Sequence, residues 1–437
     1  MPSFSLLRAR ILRSVRSFST LDAPVKIYVI EGILLSIVST ILSNNNNLFA
    51  NRLGANDYQL GLLSSIPQLV NILILLPGGV IADSLKNKKR MVLGTISASG
   101  VLYLAIGLAT GFAQNQFIAF LALFATSAGT TTLYSISWQS LFPDVISIEK
   151  RNKTLTLRTF GVMLISVISP LATGSILSSI GTNEGKIAAH QTFFVLVGVL
   201  TFVQVFALSR LKPQNAPKPQ GMSLKALKEA GAALLRNKRF IYFASVTIFF
   251  YMTWHMDWTL FYIGQTQYLG FNEFQLALAT VLAGLAQFLT LRFWSRVNER
   301  KGVIFAMLFG VLGLAFPPIS MIVGVSLPQP LGKIVFLVMY TISCLGFATV
   351  TLNVFQCLLQ VLDEKNRALS ISIFTVFSSL SNACLPMFGV MLYKWLGGNL
   401  SGLKMTFAII FVLRIIAAGL WFKRYLDTKD EFPVRQG

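Results

Sequence analysis

Few residues of this chain could do chemistry, and most of them are acids and amides set inside apolar runs. Asp257 lies in Tyr251-Met252-Thr253-Trp254-His255-Met256-Asp257-Trp258. On a helix, Trp254, Asp257 and Trp258 stand at i, i+3 and i+4 and share a face. His255 is two residues from Asp257 and points nearly the opposite way, so the two form no simple acid–base pair. An acid between indoles at membrane depth reads as a cavity site for a cation, a proton or a polar substrate. The alternative is an interfacial aromatic belt with the carboxylate reaching water. Glu31 is the second acid, about 9 Å into its apolar run at helical rise. Arg414 lies within the last apolar run.

A third constellation is Gly79-Val80-Ile81-Ala82-Asp83-Ser84-Leu85-Lys86-Asn87-Lys88-Lys89-Arg90. A glycine allows close helix–helix approach in lipid. An aspartate at a helix end can accept bonds from the exposed N–H groups at another helix's N-terminus. Such a latch would stabilise one gating state and must break for the other to form. Ordinary interfacial charge anchoring is the plainer alternative. Cys344, Cys357 and Cys384 all lie in apolar runs and read as small buried hydrophobes. Their spacing suits neither zinc nor a disulfide framework.

The elements that must position these residues follow from composition. The chain has 437 residues, 54% hydrophobic and 12% charged, about half the charge of a soluble domain. Apolar runs of about 20 residues match a bilayer's hydrocarbon core and must be helical to satisfy their own backbone. The net charge of +21 does not point to nucleic acid, because the basic residues sit between alternate apolar runs and no soluble basic domain exists to hold them. Twelve spans are expected, near 26–50, 58–82, 91–112, 116–142, 155–180, 191–210, 240–268, 273–295, 302–325, 331–361, 367–396 and 401–423. With both termini cytoplasmic, only Arg52, Lys186, Lys333, Lys394 and Lys404 of the 37 basic residues fall outside, and Arg414 within a span. That asymmetry is a positive-inside signal.

The spans divide the chain into a cytoplasmic N-terminal segment (1–25), a six-helix bundle (26–210), a cytoplasmic linker (211–239), a second six-helix bundle (240–426) and a cytoplasmic tail (427–437). The first segment carries Arg8, Arg10, Arg13 and Arg16. It reads as an amphipathic helix on the membrane surface, with an organellar transit peptide as the alternative. In the linker, Leu224 to Leu235 reads equally as a surface helix or a solvated connection. The halves resemble each other. Trp138-Gln139-Ser140-Leu141 matches Phe355-Gln356-Cys357-Leu358, and Pro170 matches Pro386. Repeated halves are a mark of alternating-access transporters.

The Gly79 to Arg90 segment resembles the signature of the major facilitator superfamily at Gly79, Asp83 and Arg90, with Lys86 in the basic loop; Asn87 stands where the family usually has glycine. Span count, loop asymmetry and the half repeat extend the resemblance over the whole chain. It implies an all-α membrane protein of twelve transmembrane helices in two pseudo-symmetric six-helix bundles. It implies that the motif latches the cytoplasmic side in the outward-facing state. In the second half Ser295 is read at the aspartate's place, which leaves that copy degenerate. Ser169-Pro170-Leu171-Ala172-Thr173-Gly174 resembles the proline–glycine motif of exporter branches, with a simple proline kink as the alternative.

The resemblance further implies that the first, fourth, seventh and tenth helices line a central cavity. The substrate- or ion-binding candidates are then Glu31, Asn44, Asn47, Tyr134, Trp138, Gln139, Trp254, Asp257, Gln265, Asn353, Gln356 and Gln360. Any of the amides can equally be helix–helix glue. The expected function is secondary active transport of a small molecule by rocker-switch alternating access, with proton or sodium coupling through Asp257 or Glu31 and efflux favoured. A flippase for an amphipathic, lipid-linked substrate and a non-transporting sensor are the alternatives. No enzyme activity, cofactor, metal or nucleic acid is expected. The expected setting is a monomer in the plasma membrane.

Overall fold

The computed structural model describes residues 21–84, 87–109, 115–212, 231–232, 234–362 and 367–428. Residues 1–20 of the expected N-terminal segment, most of the linker including 224–230, and most of the C-terminal tail lie outside the described residues.

The apolar runs fold as helices because no other local structure satisfies their backbone in lipid. They are α1 (Ala23–Arg52), α2 (Asp57–Ser84), α3 (Lys88–Ala109), α4 (Gln116–Val145), α5 (Ile148–Ser179) and α6 (Asn183–Ser209). The second half has α7 (Lys238–His255, then Trp258–Ile263), α8 (Glu273–Lys301) and α9 (Val303–Gly313, then Pro317–Ser326). It ends with α10 (Leu331–Ser343, then Phe347–Val361), α11 (Arg367–Trp395) and α12 (Leu400–Thr428). Among the described residues, eleven helices are long and apolar enough to cross a membrane. The twelfth is α7, which breaks at Met256 and Asp257.

Side-chain caps set the helix starts: Asn115 accepts from Ile118 N, Thr182 from Gly185 N, and Asn237 from Phe240 N. With twelve crossings, α1 begins and α12 ends on one face, termed here the terminal face; the opposite one is the far face.

Each half packs its own helices. α3 lies against α4 and α6, and α1 against α5 and α6; in the second half α12 lies against α7 and both pieces of α9. The halves meet where α2 crosses α11 and where α5 crosses α8. Both crossings lie toward the far face and both depend on a glycine. A Cβ on Gly61 of α2 would stand 2.8 Å from the Met387 sulfur. One on Gly174 of α5 would stand 2.8 Å from the backbone oxygen of Glu273 and 2.9 Å from the Ala277 Cβ. Small residues are what allow such approaches in membranes.

Candidate functional site

Two loops at the far face are built alike. Leu53-Gly54-Ala55-Asn56-Asp57-Tyr58-Gln59-Leu60 joins α1 to α2, and Leu269-Gly270-Phe271-Asn272-Glu273-Phe274-Gln275-Leu276 joins α7 to α8. Gly54 and Gly270 both take positive φ, 84° and 62°, a conformation glycine adopts without steric cost. Asn56 with Gln59, and Asn272 with Gln275, each form a reciprocal capping box. The repeat therefore places an acid, Asp57 or Glu273, at the first residue of the second helix of each half.

Each acid is held by the other half. Glu273 is 4% exposed and accepts from Arg52 Nη2 and Lys186 Nζ, both at 2.6 Å. Arg52 also donates to Asn183 Oδ1 at 3.1 Å. Asp57 pairs with Lys394 of α11 and accepts from Gln267 Nε2 at 2.8 Å. Nearby, Ser64 of α2 and Thr259 of α7 share a 3.0 Å hydrogen bond. Three of the five basic residues expected on this side thus join the halves. The repeated octapeptide is the sequence signal for this arrangement, and a comparison confined to the other ends of the helices misses it.

Behind the Glu273 clamp lies a cavity of about 150 Å³ shared by both halves. Ser43, Asn44, Asn45, Asn47, Thr173, Tyr262, Gln265, Glu273 and Thr280 supply its polar lining. Of the expected site residues it collects Asn44, Asn47 and Gln265. The Asn44 and Asn45 amide nitrogens donate to Thr40 O and Ile41 O one turn back, both at 2.8 Å, which leaves their oxygens as acceptors.

The buried acids are committed to arginines that sequence spacing does not reveal. Glu31 is fully buried. It accepts from the Tyr134 hydroxyl at 2.5 Å, Gln204 Nε2 at 3.0 Å and Arg158 Nε at 3.2 Å. The Arg158 guanidinium also covers the Trp138 ring, 4.6 Å from its centroid. Arg158 remains 20% exposed, so this network reaches solvent-accessible surface.

Asp257 and Arg414, each 1% exposed, pair at 2.6 Å. Arg414 also donates to Leu314 O at 2.7 Å, Trp254 O at 3.0 Å and Thr253 O at 3.3 Å. These carbonyls flank the breaks in α7 and α9, so Arg414 serves as a cap for two interrupted helices. The expectation that Trp254, Asp257 and Trp258 share one face is corrected for the acid: the two indoles stay in edge contact at 5.8 Å, while the break turns Asp257 toward Arg414 of α12. His255 packs against both indoles, 5.4 Å from the Trp254 ring and 4.6 Å from the Trp258 ring, with its Nδ1 3.0 Å from the Ser381 hydroxyl.

The remaining candidates scatter. Asn353 is buried and exchanges hydrogen bonds with Asn298 at 2.7 and 2.9 Å, joining α10 to α8. Gln139 and Gln356 are exposed at matching places on α4 and α10. Gln360 keeps its side-chain oxygen buried without a hydrogen-bond partner. Trp254 lines a second cavity, of about 370 Å³, within the second half.

In the Gly79 to Arg90 segment, Lys86 and the Asp83 side chain lie outside the described residues. Gly79 belongs to α2, and Arg90 is exposed on the first turn of α3. Lys88 pairs with Asp144 at 3.1 Å, and Lys89 donates to Ser209 O at 2.6 Å. These contacts dock the first turn of α3 on the ends of α4 and α6. The register fixed by the two capping boxes also corrects the second-half copy: Ser295 aligns with Gly79, and Glu299 aligns with Asp83.

Residues 27–359 match the family model described as Major Facilitator Superfamily. No curated protein matches the sequence. Solved structures share the fold. A bacterial homologue of the iron transporter ferroportin, in an inward-facing state, superposes with a TM-score of 0.71 at 12% identity, covering 92% of this chain and 98% of that one. A D-xylose–proton symporter gives 0.67 at 15% identity, covering 92% and 97%. A bacterial homologue of the human lysosomal transporter Spinster, inward-facing and occupied, gives 0.65 at 16% identity, covering 92% and 95%.

Proposed function

We propose that this chain, which belongs to the major facilitator superfamily and is a membrane transporter, moves a small molecule by rocking its two halves about a cavity that both line. The observation that carries the reading is the pair of clamps at Asp57 and Glu273. The contacts that join the halves gather at the far face, over a polar cavity that both halves line. Closure at one face by breakable ion pairs is the property alternating access requires. The conformation described is then the one open to the terminal face. The excess of basic residues on that face supports placing it in the cytoplasm.

Proton coupling fits Glu31 better than Asp257. The Glu31 network includes the partly exposed Arg158, so a proton has a route to it. Protonation would cancel the charge that holds Arg158. Asp257 and Arg414 are sealed and support a broken backbone. A soluble substrate is favoured over a lipid-linked one. The far-side cavity is lined mainly by amides and hydroxyls and the larger cavity by aromatic and aliphatic side chains, the reverse of the polarity expected for a flippase.

The test is side-specific accessibility in proteoliposomes. A cysteine at Asn44 should react slowly with a membrane-impermeant maleimide added from the far face. Adding Glu273→Gln should accelerate that reaction by roughly an order of magnitude, and a cysteine at Gln356 should become slower from the terminal face. Rates that do not change, or that rise on both faces together, would rule out alternation.

A further inference from the structure

The larger cavity has a chemistry of its own. It occupies about 370 Å³ between α7, α10 and α11. Tyr251, Trp254, Phe355 and Phe374 give it four rings, and Val350, Val354, Leu358 and Ile371 give it aliphatic walls. Thr351, Thr375 and Ser378 add three hydroxyls, and among the described residues no charged one lines it.

The aromatic walls are fixed before any ligand arrives. The Trp254 ring stacks on Phe250 at 5.8 Å and 16°, and meets the edge of Phe347 at 5.1 Å. Its backbone carbonyl is held by Arg414. Phe374 packs on Phe243 at 5.4 Å. Phe355 is 50% exposed, so the cavity has an open side. In the first half, Trp138 holds the place of Phe355 but lies beneath the Arg158 guanidinium. The open aromatic wall is therefore a property of the second half.

The hydroxyls set a polarity. Thr351 donates to Phe347 O at 3.2 Å, Thr375 to Ile371 O at 2.8 Å and Ser378 to Thr375 O at 3.0 Å. Each hydrogen is spent on the hydroxyl's own helix. Thr351 Oγ1 already accepts from Gln287 Nε2 at 3.2 Å, so Thr375 and Ser378 offer a ligand the open lone pairs, which accept and do not donate.

We infer that this cavity is a substrate subsite for an uncharged aromatic molecule of two or three rings that carries a hydrogen-bond donor, such as a phenolic hydroxyl or an N–H. Size follows from volume: a cavity of roughly 150 Å³ takes one benzene. Aromatic walls favour a planar π face over a saturated ring. An anion would lose its hydration against described walls that offer no countercharge, and a cation would exchange its full hydration for ring faces alone. The inference rests on the transporter reading and adds to the shared polar cavity a second subsite with its own substrate class.

The experiment is thermal unfolding of the protein in lipid nanodiscs, titrated with four probes. 2-Naphthol should raise the unfolding temperature saturably, since a ligand that binds the folded state stabilises it by mass action. 2-Methoxynaphthalene, which lacks the donor, should bind roughly 3- to 10-fold more weakly. Decahydro-2-naphthol, whose two rings are saturated and present no π face, and 2-naphthalenesulfonate, which carries charge, should be weaker still. Thr375→Phe places a ring in the cavity and should abolish the 2-naphthol shift. If Thr375→Phe does not fold, Phe374→Leu and Phe355→Leu should each weaken 2-naphthol by roughly 3- to 10-fold. A shift that is absent, that survives these substitutions, or that the saturated or anionic probe matches, overturns the assignment. Asn44 and Gln356 labelling reads the alternation without this ligand, so the two readings fail separately.

Discussion

Glu273 occupies in the second half the position that Asp57 occupies in the first: each is the first residue of its half's second helix, and each carboxylate is held by a cation of the opposite half. The duplicated loop thus yields two clamps related by the pseudo-symmetry of the fold. Each crosses the interface that must open if the far face is to admit solute. A gate of this kind is local electrostatics read out globally, because the two halves move as bodies about the interface the ion pairs span.

Neutralising one clamp should weaken far-face closure without unfolding either half. Glu273→Gln leaves Arg52 and Lys186 facing each other without a countercharge. A hydrogen bond to a charged group contributes about 1.5–3 kcal/mol, so the open population should rise by roughly an order of magnitude or more. Asp57→Asn should do less, since its lysine partner Lys394 is more exposed than Lys186. The two effects should add, because the clamps share no partner. Maleimide labelling at Asn44 in single and double variants checks the order and the sum.

Gly174→Val should act in the same direction by sterics alone. The Cβ would press on the Glu273 backbone oxygen, which cannot move as a side-chain tip can. The variant should therefore favour the far-open state and reduce transport strongly. Gly94→Ala, whose Cβ meets nothing within 4 Å, is the control and should leave labelling rates unchanged.

Arg414 should be the most damaging single position in the second half. Arg414→Leu strips Asp257 of its countercharge and leaves the Leu314, Thr253 and Trp254 carbonyls short of a donor. Removing one partner of a buried pair costs about 3–5 kcal/mol. Arg414→Lys cannot reproduce four separate donations and should recover little. Adding Asp257→Leu should restore part of the loss by deleting the stranded charge. Unfolding temperatures of the three proteins in one detergent give the comparison.

The twelve spans were legible because each is an apolar run bounded by charge, and lipid leaves such runs no choice but helix. Asn44, Asn47 and Gln265 were legible as cavity residues once the helices were numbered. The partners of the acids were not. Arg52 and Glu273 stand 221 positions apart, and Arg414 and Asp257 stand 157 apart, so helical spacing carries no sign of either contact. The break in α7 also escaped, because Met256 and Asp257 follow no proline or glycine that would announce it. Arg414 supplies the hydrogen bonds the break requires, and it comes from the far end of the chain.

Glu31 and Asp257 should separate in a coupling assay. Glu31→Gln is expected to abolish pH-driven accumulation of substrate while leaving exchange between equal pools. Asp257→Asn is expected to lower the yield of folded protein, with coupling intact in what remains. Loss of coupling in Asp257→Asn with normal stability would reverse the assignment.

Alternation itself is tested most directly by spin-label distances across both faces of one protein. Labels at Glu184 and Asn399 report the far face, and labels at Lys153 and Arg300 report the terminal face; all four residues are exposed. In the Asp57→Asn, Glu273→Gln double variant, the far-face distance should lengthen and the terminal-face distance should shorten in the same fraction of molecules. Distances that stay at their wild-type values, or that lengthen together at both faces, would contradict a gate built on Asp57 and Glu273.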